Sequence, residues 1–548
     1  MDLISKFEIP IGLKEYIGDI WDEALKNKGR SSLILGGTLS VVIILNYLKN
    51  WWKLRSTFKR LNIPGPSPLP LMGNLLGVLK QGFAKHDEDI VKKYGKTLGY
   101  FEGSTPVVLT TDIKFIKNVM IKDFNYFVNR RTFDSLLIEP IDKFITVLKD
   151  DEWKNVRAII TTTFTSGKLK SMSRYMNDCV GNMENFISTL ADSDGILDTK
   201  TLFSGFTLDV ISTCCFGVST NSINDPNTEI LYHAQQIFKN SISFDPKILL
   251  IFFFPEFSGY LSRKKMIEFF PNKSLQFFEN FTNEVIKRRK NKLEKRDDFI
   301  QNILEHEVTS DSDETKPKET DHEHLDGEKL YKWNSSLKKT LTNKEILSQS
   351  ILFLLAGYET TAQTLCFISY NLAMNPNYQT QLCEEVDSVL DKHDGKINYE
   401  SVNEMTFMEK VIDETLRMFP PAMRLDRIAS DDYEYNGMKI EKGMIWSVPI
   451  WALHHDPEIY PEPNVFRPER FDENEKKLRD NVAYLPFGAG PRNCVGMRFA
   501  LLEIKLLLAA ILSKYRFEKC DKTPEKIEID NSGFARPTKP IFVKVSRR

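Results

Sequence analysis

The sequence of 548 residues predicts a mainly α-helical fold with small β-sheets, in a single large domain behind an N-terminal membrane anchor. Three observations predict this class. Apolar residues follow a helical pattern from Ile346 to Asn375, which is far too long for a strand. The run 433–450, with Asn436-Gly437 as a turn, indicates a β-hairpin. The uncharged apolar run 31–48 is about long enough to cross a bilayer as a helix.

The chain before the large domain divides into three segments. Residues 1–30 form a polar extension of mixed charge, residues 31–48 the predicted transmembrane anchor, and residues 49–70 a basic and proline-rich linker. Trp51 and Trp52 follow the anchor, where aromatic side chains favour the membrane interface. Positive charge is slightly more abundant after the apolar run than before it, which predicts that the large domain lies on the cytoplasmic side. A buried core helix is the alternative for 31–48.

The composition limits the classes of function. A formal net charge of −1 argues against a nucleic-acid-binding protein, for which a basic surplus is expected. The seven cysteines are scattered apart from one adjacent pair, so no disulfide framework is predicted and a reducing compartment fits. The stretch 305–340 is polar and acidic with few apolar residues, which predicts a flexible surface loop.

The long apolar helix has clear start and stop signals. Thr342 and Glu345 have the spacing of a capping box, and Pro376 cannot continue the helix. Roughly thirty-three residues at 1.5 Å each give about 50 Å, enough to cross an entire domain. We therefore expect this helix to run through the centre of the large domain.

Two costly residues lie close together inside this helix. Glu359 is the only charged residue between Ile346 and Met374, and a carboxylate in an apolar environment is unfavourable unless it is paired or used. Gly357 costs about 1 kcal/mol relative to alanine in a helix interior. A glycine would let a flat cofactor approach the helix, Thr360 would offer a hydroxyl there, and Glu359 would supply protons. The alternative is a tolerated glycine beside a surface-facing glutamate.

Cys494 lies in the glycine-rich run FGAGPRNCVG, which leads directly into an apolar helix. No second cysteine or histidine has the spacing of a zinc site. A lone thiolate in such a loop suits an iron that already has its other ligands, as in a heme. Gly488 and Gly490 allow the backbone to turn, and the N-terminus of the following helix favours the ionised thiol. A buried structural cysteine is the alternative.

These motifs resemble those of the cytochrome P-450 family, the heme-thiolate monooxygenases. The cysteine loop matches the family pattern FxxGxRxCxG, and 356–361 matches (A/G)Gx(D/E)T(T/S). Glu414 and Arg417 match ExxR, and 466–471 contains the PERF element. The resemblance runs from about Pro64 to the C-terminus and is strongest to the third animal family, the microsomal drug- and steroid-oxidising group. It implies that residues 71–548 form one catalytic domain with the cytochrome P-450 fold.

The resemblance also implies the site. It predicts heme b (iron protoporphyrin IX) as cofactor, with Cys494 as the iron ligand and Glu359 and Thr360 as catalytic residues. Glu414, Arg417 and Arg470 would form a structural triad, and Thr146, Ala422 and Met423 would face the substrate. The heme-binding residues implied by the motifs are Arg130, Trp153, Arg157, Arg427, Phe487, Arg492, Cys494 and Gly496.

The implied function is the insertion of one oxygen atom from O2 into a lipophilic xenobiotic, steroid or lipid-like substrate. Electrons would come from NADPH-cytochrome P-450 reductase, with a b-type cytochrome as a second donor. The expected location is the endoplasmic reticulum membrane, with the catalytic domain on its cytoplasmic face. Two alternatives share the scaffold: a reductase-independent isomerase or lyase acting on a peroxide, and a heme carrier or sensor without turnover. The phenylalanine-rich run 248–257 is predicted to contact membrane lipid or to belong to the core.

Overall fold

The computed structural model describes residues 51–239, 246–294, 296–307 and 340–548. The polar extension 1–30, the predicted anchor 31–48 and nearly all of the acidic stretch 305–340 lie outside these described residues. Within them helices predominate and strands are short, so the prediction of a mainly α-helical protein with small sheets is confirmed.

The helices are numbered here in chain order. They are α1 (51–60), α2 (Leu75–Tyr94), α3 (Ile113–Lys117), α4 (Asp150–Thr162), α5 (Ser166–Ala191), α6 (Thr199–Ile211), α7 (Glu229–Phe238), α8 (Pro246–Phe253), α9 (Pro255–Arg263), α10 (Asn272–Lys290), α11 (Phe299–Leu304), α12 (Asn343–Met374), α13 (Pro376–Lys392), α14 (Tyr399–Asn403), α15 (Thr406–Met418), α16 (Ile450–His454), α17 (Glu473–Lys477) and α18 (Met497–Leu512). Wider π-helical turns at Asn118–Lys122 and Ser212–Phe216 extend α3 and α6. Single 3₁₀ turns lie at Phe124–Tyr126, Asp134–Leu136, Ile141–Lys143, Pro468–Phe471, Asn481–Ala483 and Gly490–Arg492.

Nine strands form three small sheets in the described residues. They are β1 (Thr97–Glu102), β2 (Thr105–Thr110), β3 (Ile196–Asp198), β4 (Arg424–Ile428), β5 (Tyr433–Tyr435), β6 (Met438–Ile440), β7 (Ile445–Pro449), β8 (Tyr515–Glu518) and β9 (Phe542–Arg547). The largest sheet has the order β1-β2-β7-β4, in which only β2 and β7 are parallel. The antiparallel sheet β3-β9-β8 joins the middle of the chain to its C-terminus.

The third sheet is the predicted hairpin. β5 and β6 pair across Asn436 and Gly437, whose φ angles are 50° and 78°. A two-residue type I′ turn requires positive φ at both central positions, which asparagine and glycine tolerate. The Asn-Gly signal therefore located this turn correctly.

The long helix α12 is the central element of the core. Thr342 and Glu345 form the capping box at its start, and it ends two residues before Pro376, as the sequence predicts. Among the described residues it is the one helix long and apolar enough to cross a membrane, yet 78% of its most apolar window is buried inside the protein. Helices α4, α5, α6, α15 and α18 contribute to the same core.

Gly357 has a different purpose from the one expected. A Cβ atom at this position would lie 2.9 Å from Cδ1 of Ile211 at the end of α6. The missing side chain therefore makes room for the packing of α6 against α12. The prediction that Gly357 admits a flat cofactor was wrong, because its open side faces a neighbouring helix.

A buried ion network joins α15 to the 3₁₀ turn at Pro468–Phe471. The Glu414 carboxylate accepts hydrogen bonds from Nε and Nη2 of Arg417, at 2.7 and 2.8 Å, and from Nε of Arg470 at 3.2 Å. All three residues are at most 1% exposed. Arg417 Nη1 also donates to the His454 carbonyl at 2.9 Å, which ties in α16. We call Glu414, Arg417 and Arg470 the Glu414 network.

The phenylalanine-rich run 248–257 forms α8 and the start of α9. Phe252 and Phe253 pack partly buried against the main core. Phe254, Phe257 and Tyr260 are instead 48%, 54% and 51% exposed. The run is therefore divided between core and surface, and three successive phenylalanines do not share one environment.

Candidate active site

The Cys494 loop is a tightly folded turn between the 3₁₀ turn Gly490–Arg492 and α18. Gly488 and Gly490 have positive φ angles of 73° and 67°. The sequence predicted that the backbone turns at these two positions, because glycine adopts positive φ without strain. A Cβ atom on Gly490 would lie 1.9 Å from the Met120 carbonyl oxygen, so no other residue fits this close approach. The Cys494 N–H donates to the Phe487 carbonyl at 2.8 Å and closes the loop.

The thiol of Cys494 faces open space. Of the seven cysteines, all of which lie in described segments, Cys494 is the exposed one. Burial of its surroundings raises the pKa of the Cys494 thiol, while the N–H groups of Gly496 and Met497 and the charges of Arg157 and Arg130 act in the opposite direction. A metal cation at the sulfur would reverse the balance, because cysteine binds metals as the thiolate.

Three arginines form a cluster beside this loop; Arg427 and Arg492 are buried and Arg130 is half-buried. We call Arg130, Arg427 and Arg492 the arginine cluster. Nε of each of them, and also Nη1 of Arg492, is buried without a hydrogen-bond partner among the described residues. Burial and the neighbouring arginine charges lower the pKa of Arg492 to about 8 and that of Arg427 to about 9. Buried cations are normally paired, so the cluster indicates an anion that the polypeptide does not supply.

Helix α4 fixes the loop from one side. The guanidinium carbon of Arg492 lies 4.0 Å from the centre of the Trp153 ring, a cation–π contact. Nη1 of Arg157 donates to the Asn493 carbonyl at 2.8 Å, and Nη2 to Oδ1 of Asn493 at 2.5 Å. Nη2 of Arg130 donates to the Arg492 carbonyl at 2.9 Å. Residues far apart in the chain thus converge on residues 492 to 494.

These residues fit a heme. The group carries two propionate carboxylates, which are the anions that the unpartnered guanidinium N–H groups require. It also carries an iron that the exposed thiol of Cys494 would bind as a thiolate. The described residues contain no group of three or more histidine, cysteine or carboxylate side chains that could hold a metal ion by themselves.

Helix α12 presents two different faces near its middle. Ala356 is exposed and Thr360 half-buried, although most of the helix is buried, so open space lies along this face. Oγ1 of Thr360 donates to the Ala356 carbonyl at 2.8 Å. Glu359 is buried on another side, where its carboxylate lies 2.8 Å from Nζ of Lys200 and 3.6 Å from Nε of Arg536. Glu359 is therefore a paired core residue and not a surface-facing one.

The structure brings together most of the predicted heme-binding residues and corrects one substrate contact. Arg130, Arg157, Phe487, Arg492 and Gly496 contact one another or the Cys494 loop, Trp153 packs on Arg492, and Arg427 belongs to the arginine cluster. Thr146 is exposed and Ala422 half-buried, as an open cavity requires. Met423 is only 1% exposed and packs in the core, so the prediction that it faces the substrate was wrong.

Sequence reasoning missed Lys200, Asn493 and Arg536. Asn493 lies inside the motif, but its bond to Arg157 depends on how α4 packs. Lys200 and Arg536 are distant in sequence, and no local pattern connects them with Glu359. The only available signal was the isolated carboxylate itself, which required a cation from elsewhere.

Comparison with known proteins gives the same family over most of the chain. The family model for cytochrome P-450 matches residues 63–545. The chain is 37% identical to cytochrome P-450 3A56 of Fundulus heteroclitus over 510 residues, which cover 93% of this chain and 96% of the relative. It is 37% identical to cytochrome P-450 3A31 of Mesocricetus auratus and 36% identical to cytochrome P-450 3A2 of Rattus norvegicus, each over 513 residues with 93% and 96% coverage. The chain therefore belongs to the cytochrome P-450 family, and it is a heme-dependent monooxygenase.

Proposed function

We propose that Cys494 would bind the heme iron and that the arginine cluster, together with Arg157, would bind the heme propionates. The observation that carries this proposal is the set of buried guanidinium N–H groups in the cluster that have no partner among the described residues. The heme, when bound, supplies the reductive activation of O2 and the insertion of one oxygen atom into the substrate.

Residues of the Cys494 loop and of α4 hold Cys494 and Arg492 in position for the heme. The Phe487 carbonyl accepts a hydrogen bond from the Cys494 N–H, and this bond fixes the direction of the thiol. The N–H groups of Gly496 and Met497 stabilise negative charge on the sulfur. Trp153 packs over Arg492, which holds its guanidinium in one orientation for a propionate.

Thr360 and Glu359 are proposed to manage protons. Oγ1 of Thr360 lies on the open side of α12 and binds the Ala356 carbonyl. Rotation of this hydroxyl breaks one hydrogen bond and leaves a donor at the cofactor side of the helix. Glu359, next in sequence, is the nearest carboxylate along α12 and is proposed to restore that proton through water. Nζ of Lys200 lies 2.8 Å from this carboxylate and provides a positive charge beside it.

NADPH-cytochrome P-450 reductase is the proposed electron donor, with a b-type cytochrome as a second donor. The docking surface would be the face around the Cys494 loop. Lys122 and Lys149 are exposed on that side, each directly after a residue that contacts the loop: Ile121 approaches Gly490, and the Leu148 carbonyl accepts from Arg492. These positive charges suit an acidic partner surface.

Attachment to the endoplasmic reticulum membrane, with the catalytic domain on the cytoplasmic face, is also proposed. The predicted anchor would provide it, and two described segments support it. Trp52 in α1 is 61% exposed, and α9 carries two exposed aromatic side chains, with a third directly before it and a basic run at 263–265. Such a combination favours the interface of an anionic bilayer. We expect lipophilic substrates to arrive from there.

Oxygen incorporation tests the proposed reaction. The full chain is combined with NADPH-cytochrome P-450 reductase, phospholipid and NADPH under isotopically labelled O2, with testosterone as a first lipophilic probe and further lipophilic compounds selected by the shift that they cause in the heme spin state. We expect product with one labelled oxygen atom, formed only with NADPH. Product formed from an organic peroxide at the same rate without NADPH would instead indicate the isomerase or lyase class.

Vesicle binding tests the membrane contact. Protein lacking residues 1–50 is expected to bind vesicles of phosphatidylcholine and phosphatidylserine, and replacement of Phe254 and Phe257 by serine should release it. Leu293→Ser is the matched control, because Leu293 is 76% exposed in another segment. Truncated protein that never binds such vesicles would contradict the proposed contact.

A further inference from the structure

Arg536 lies where three parts of the molecule meet. Its Nη1 donates to the carbonyl of Phe238, the last residue of α7, at 2.6 Å. Its guanidinium carbon lies 5.8 Å from the Phe238 ring centre and 5.6 Å from that of Phe534. Its Nε lies 3.6 Å from the Glu359 carboxylate and donates no hydrogen bond to a described residue. One side chain therefore contacts two aromatic rings and the carboxylate of α12.

Phe534 connects Arg536 with the segment that contains Ala422. Its ring is 42% exposed, unlike that of most phenylalanines in the described chain. The segment around it runs along 421–423: Phe534 forms a β-bridge with Ala422, and the Met423 N–H donates to the Gly533 carbonyl at 3.0 Å. Because the resemblance predicts that Ala422 contacts the substrate, we infer that a bulky substrate reaches the Phe534 ring.

The two ion pairs of Glu359 differ in tightness. Lys200 comes from α6, which is buried against α12, and its Nζ lies 2.8 Å from the carboxylate. Arg536 comes from an irregular segment between two short β-pairings, and its contact is 0.8 Å longer (3.6 against 2.8 Å). Neither Nζ of Lys200 nor Nε of Arg536 donates a hydrogen bond to a described residue, so both contacts are ion pairs and the one with Arg536 is the longer.

We propose that Arg536 is a positioning residue that couples the filling of the substrate cavity to Glu359. A substrate that presses on Phe534 moves the guanidinium held between Phe534 and Phe238, and this movement changes the separation of Arg536 from Glu359. The charge around the carboxylate, and hence its delivery of protons, then depends on the size of the bound molecule. The inference rests on the proposed proton-delivery function of Glu359.

A series of 7-alkoxycoumarins of increasing chain length tests this coupling in the holoenzyme. All members undergo the same O-dealkylation, and only the longer chains reach Phe534. The measurements are substrate affinity from the spin-state shift, product per NADPH, and the solvent deuterium isotope effect on NADPH oxidation. In the unmodified enzyme, product per NADPH and the isotope effect should change about fivefold along the series, which is the lower range of a typical coupling between sites.

In Arg536→Gln this dependence on chain length should disappear while product is still formed. Arg536→Lys keeps the positive charge but loses the bond to the Phe238 carbonyl, and we expect part of the dependence to remain. Lys539→Gln is the control. It removes the positive charge of an exposed lysine in the same segment, and this lysine does not contact Glu359. If Arg536 only stabilised the segment, both Arg536 variants would weaken the binding of all coumarins equally and leave the isotope effect unchanged, and that result would overturn the proposal.

Amide hydrogen exchange provides a measurement that does not depend on turnover. Binding of 7-pentoxycoumarin should slow exchange at residues 533–536, whereas 7-methoxycoumarin should not, and Arg536→Gln should remove the difference. Equal exchange with both ligands in the unmodified enzyme would overturn the proposal. Failure of proton delivery by Glu359 is distinguishable, because Glu359→Gln would then leave the solvent isotope effect unchanged while residues 533–536 still responded to chain length.

Discussion

The Glu414 network and the arginine cluster are both buried groups of arginines, and they differ in whether the protein supplies the anion. In the network, one carboxylate accepts four hydrogen bonds, from Arg417 Nε and Nη2, Arg470 Nε and the Arg467 N–H. In the cluster, the guanidinium groups repel one another, and none of them forms an ion pair with a carboxylate of the described residues. Arg470 Nη1 in the network also lacks a hydrogen-bond partner there, so the difference lies in the carboxylate that Glu414 supplies.

The difference is a guide to where a cofactor binds. Proteins seldom leave buried charges unpaired, because the desolvation of an ion costs several kcal/mol that only a counter-charge offsets. A network completed within the chain stabilises the fold and needs nothing else. A network that is incomplete within the chain indicates the charge and the position of the missing group, here the carboxylates of a heme.

The largest effect on stability is expected from removal of the carboxylate of the Glu414 network. Glu414→Ala should lower the free energy of unfolding by about 3–5 kcal/mol, since two buried arginines lose their carboxylate. We expect protein that retains no heme and unfolds at lower denaturant concentration. Lys410→Ala on the same helix is the control: its 2.6 Å ion pair with Asp472 is partly exposed and is worth about 0–1 kcal/mol. Equal stability of the two variants would contradict the structural function of the network.

Replacement of the Cys494 thiol tests the iron ligand without disturbing the fold. Cys494→Ser removes one sulfur and leaves both arginine groups intact, so the fold should persist. The red-shifted Soret band of the reduced carbon-monoxide complex, which depends on thiolate coordination, should be abolished. Cys520→Ser, at the other partly exposed cysteine, should keep that band. A Cys494→Ser enzyme that retains the band would disprove the assignment of the ligand.

Removal of one charge from the arginine cluster should weaken heme binding without the loss of stability expected for Glu414→Ala. Arg427→Gln relieves repulsion within the cluster but deprives a propionate of its partner. We expect heme to transfer to apomyoglobin about tenfold faster, a change of about 1.4 kcal/mol, with little loss of stability in the polypeptide. Arg498→Gln is the control, because Arg498 follows the same loop but donates to Ser166 outside the cluster. Unchanged heme transfer in Arg427→Gln would contradict propionate binding.

Thr360→Ala should have the smallest effect on structure and a selective effect on turnover. The hydroxyl binds only its own helix in the structure described, so stability should change by less than about 0.5 kcal/mol. Product per NADPH should fall on the order of tenfold, the equivalent of about 1.4 kcal/mol, with reducing equivalents appearing as hydrogen peroxide. Thr364→Ala, one turn later with the same type of bond, serves as the control. Equal yields from both variants would remove Thr360 from the proton pathway.

Local chemistry explains what the sequence could predict. The start of α12 follows from the Thr342–Glu345 capping box, its end from Pro376, and the β5–β6 turn from Asn436-Gly437, because each signal acts within a few residues. The Cys494 loop was predictable for the same reason.

Packing explains what the sequence could not predict. Gly357 was assigned to a cofactor because its partner, Ile211, belongs to another helix. The burial of Met423 and the pairing of Glu359 with Lys200 and Arg536 also depend on contacts between distant segments. In each case the residue type indicated a close neighbour, and only the tertiary structure identified which residue that neighbour is.

During synthesis, α12 leaves the ribosome as a 32-residue apolar segment before most of its C-terminal packing partners exist. For a chain made at a membrane, such a segment is a candidate for mistaken insertion into lipid. Glu359, near its middle, opposes this because a charged residue at the centre of a bilayer costs about 2.5–3.5 kcal/mol on insertion scales. Lys200 is synthesised earlier and offers the same carboxylate a partner in the folded protein. One glutamate thus makes the protein interior, and not the bilayer, the favourable environment for this helix.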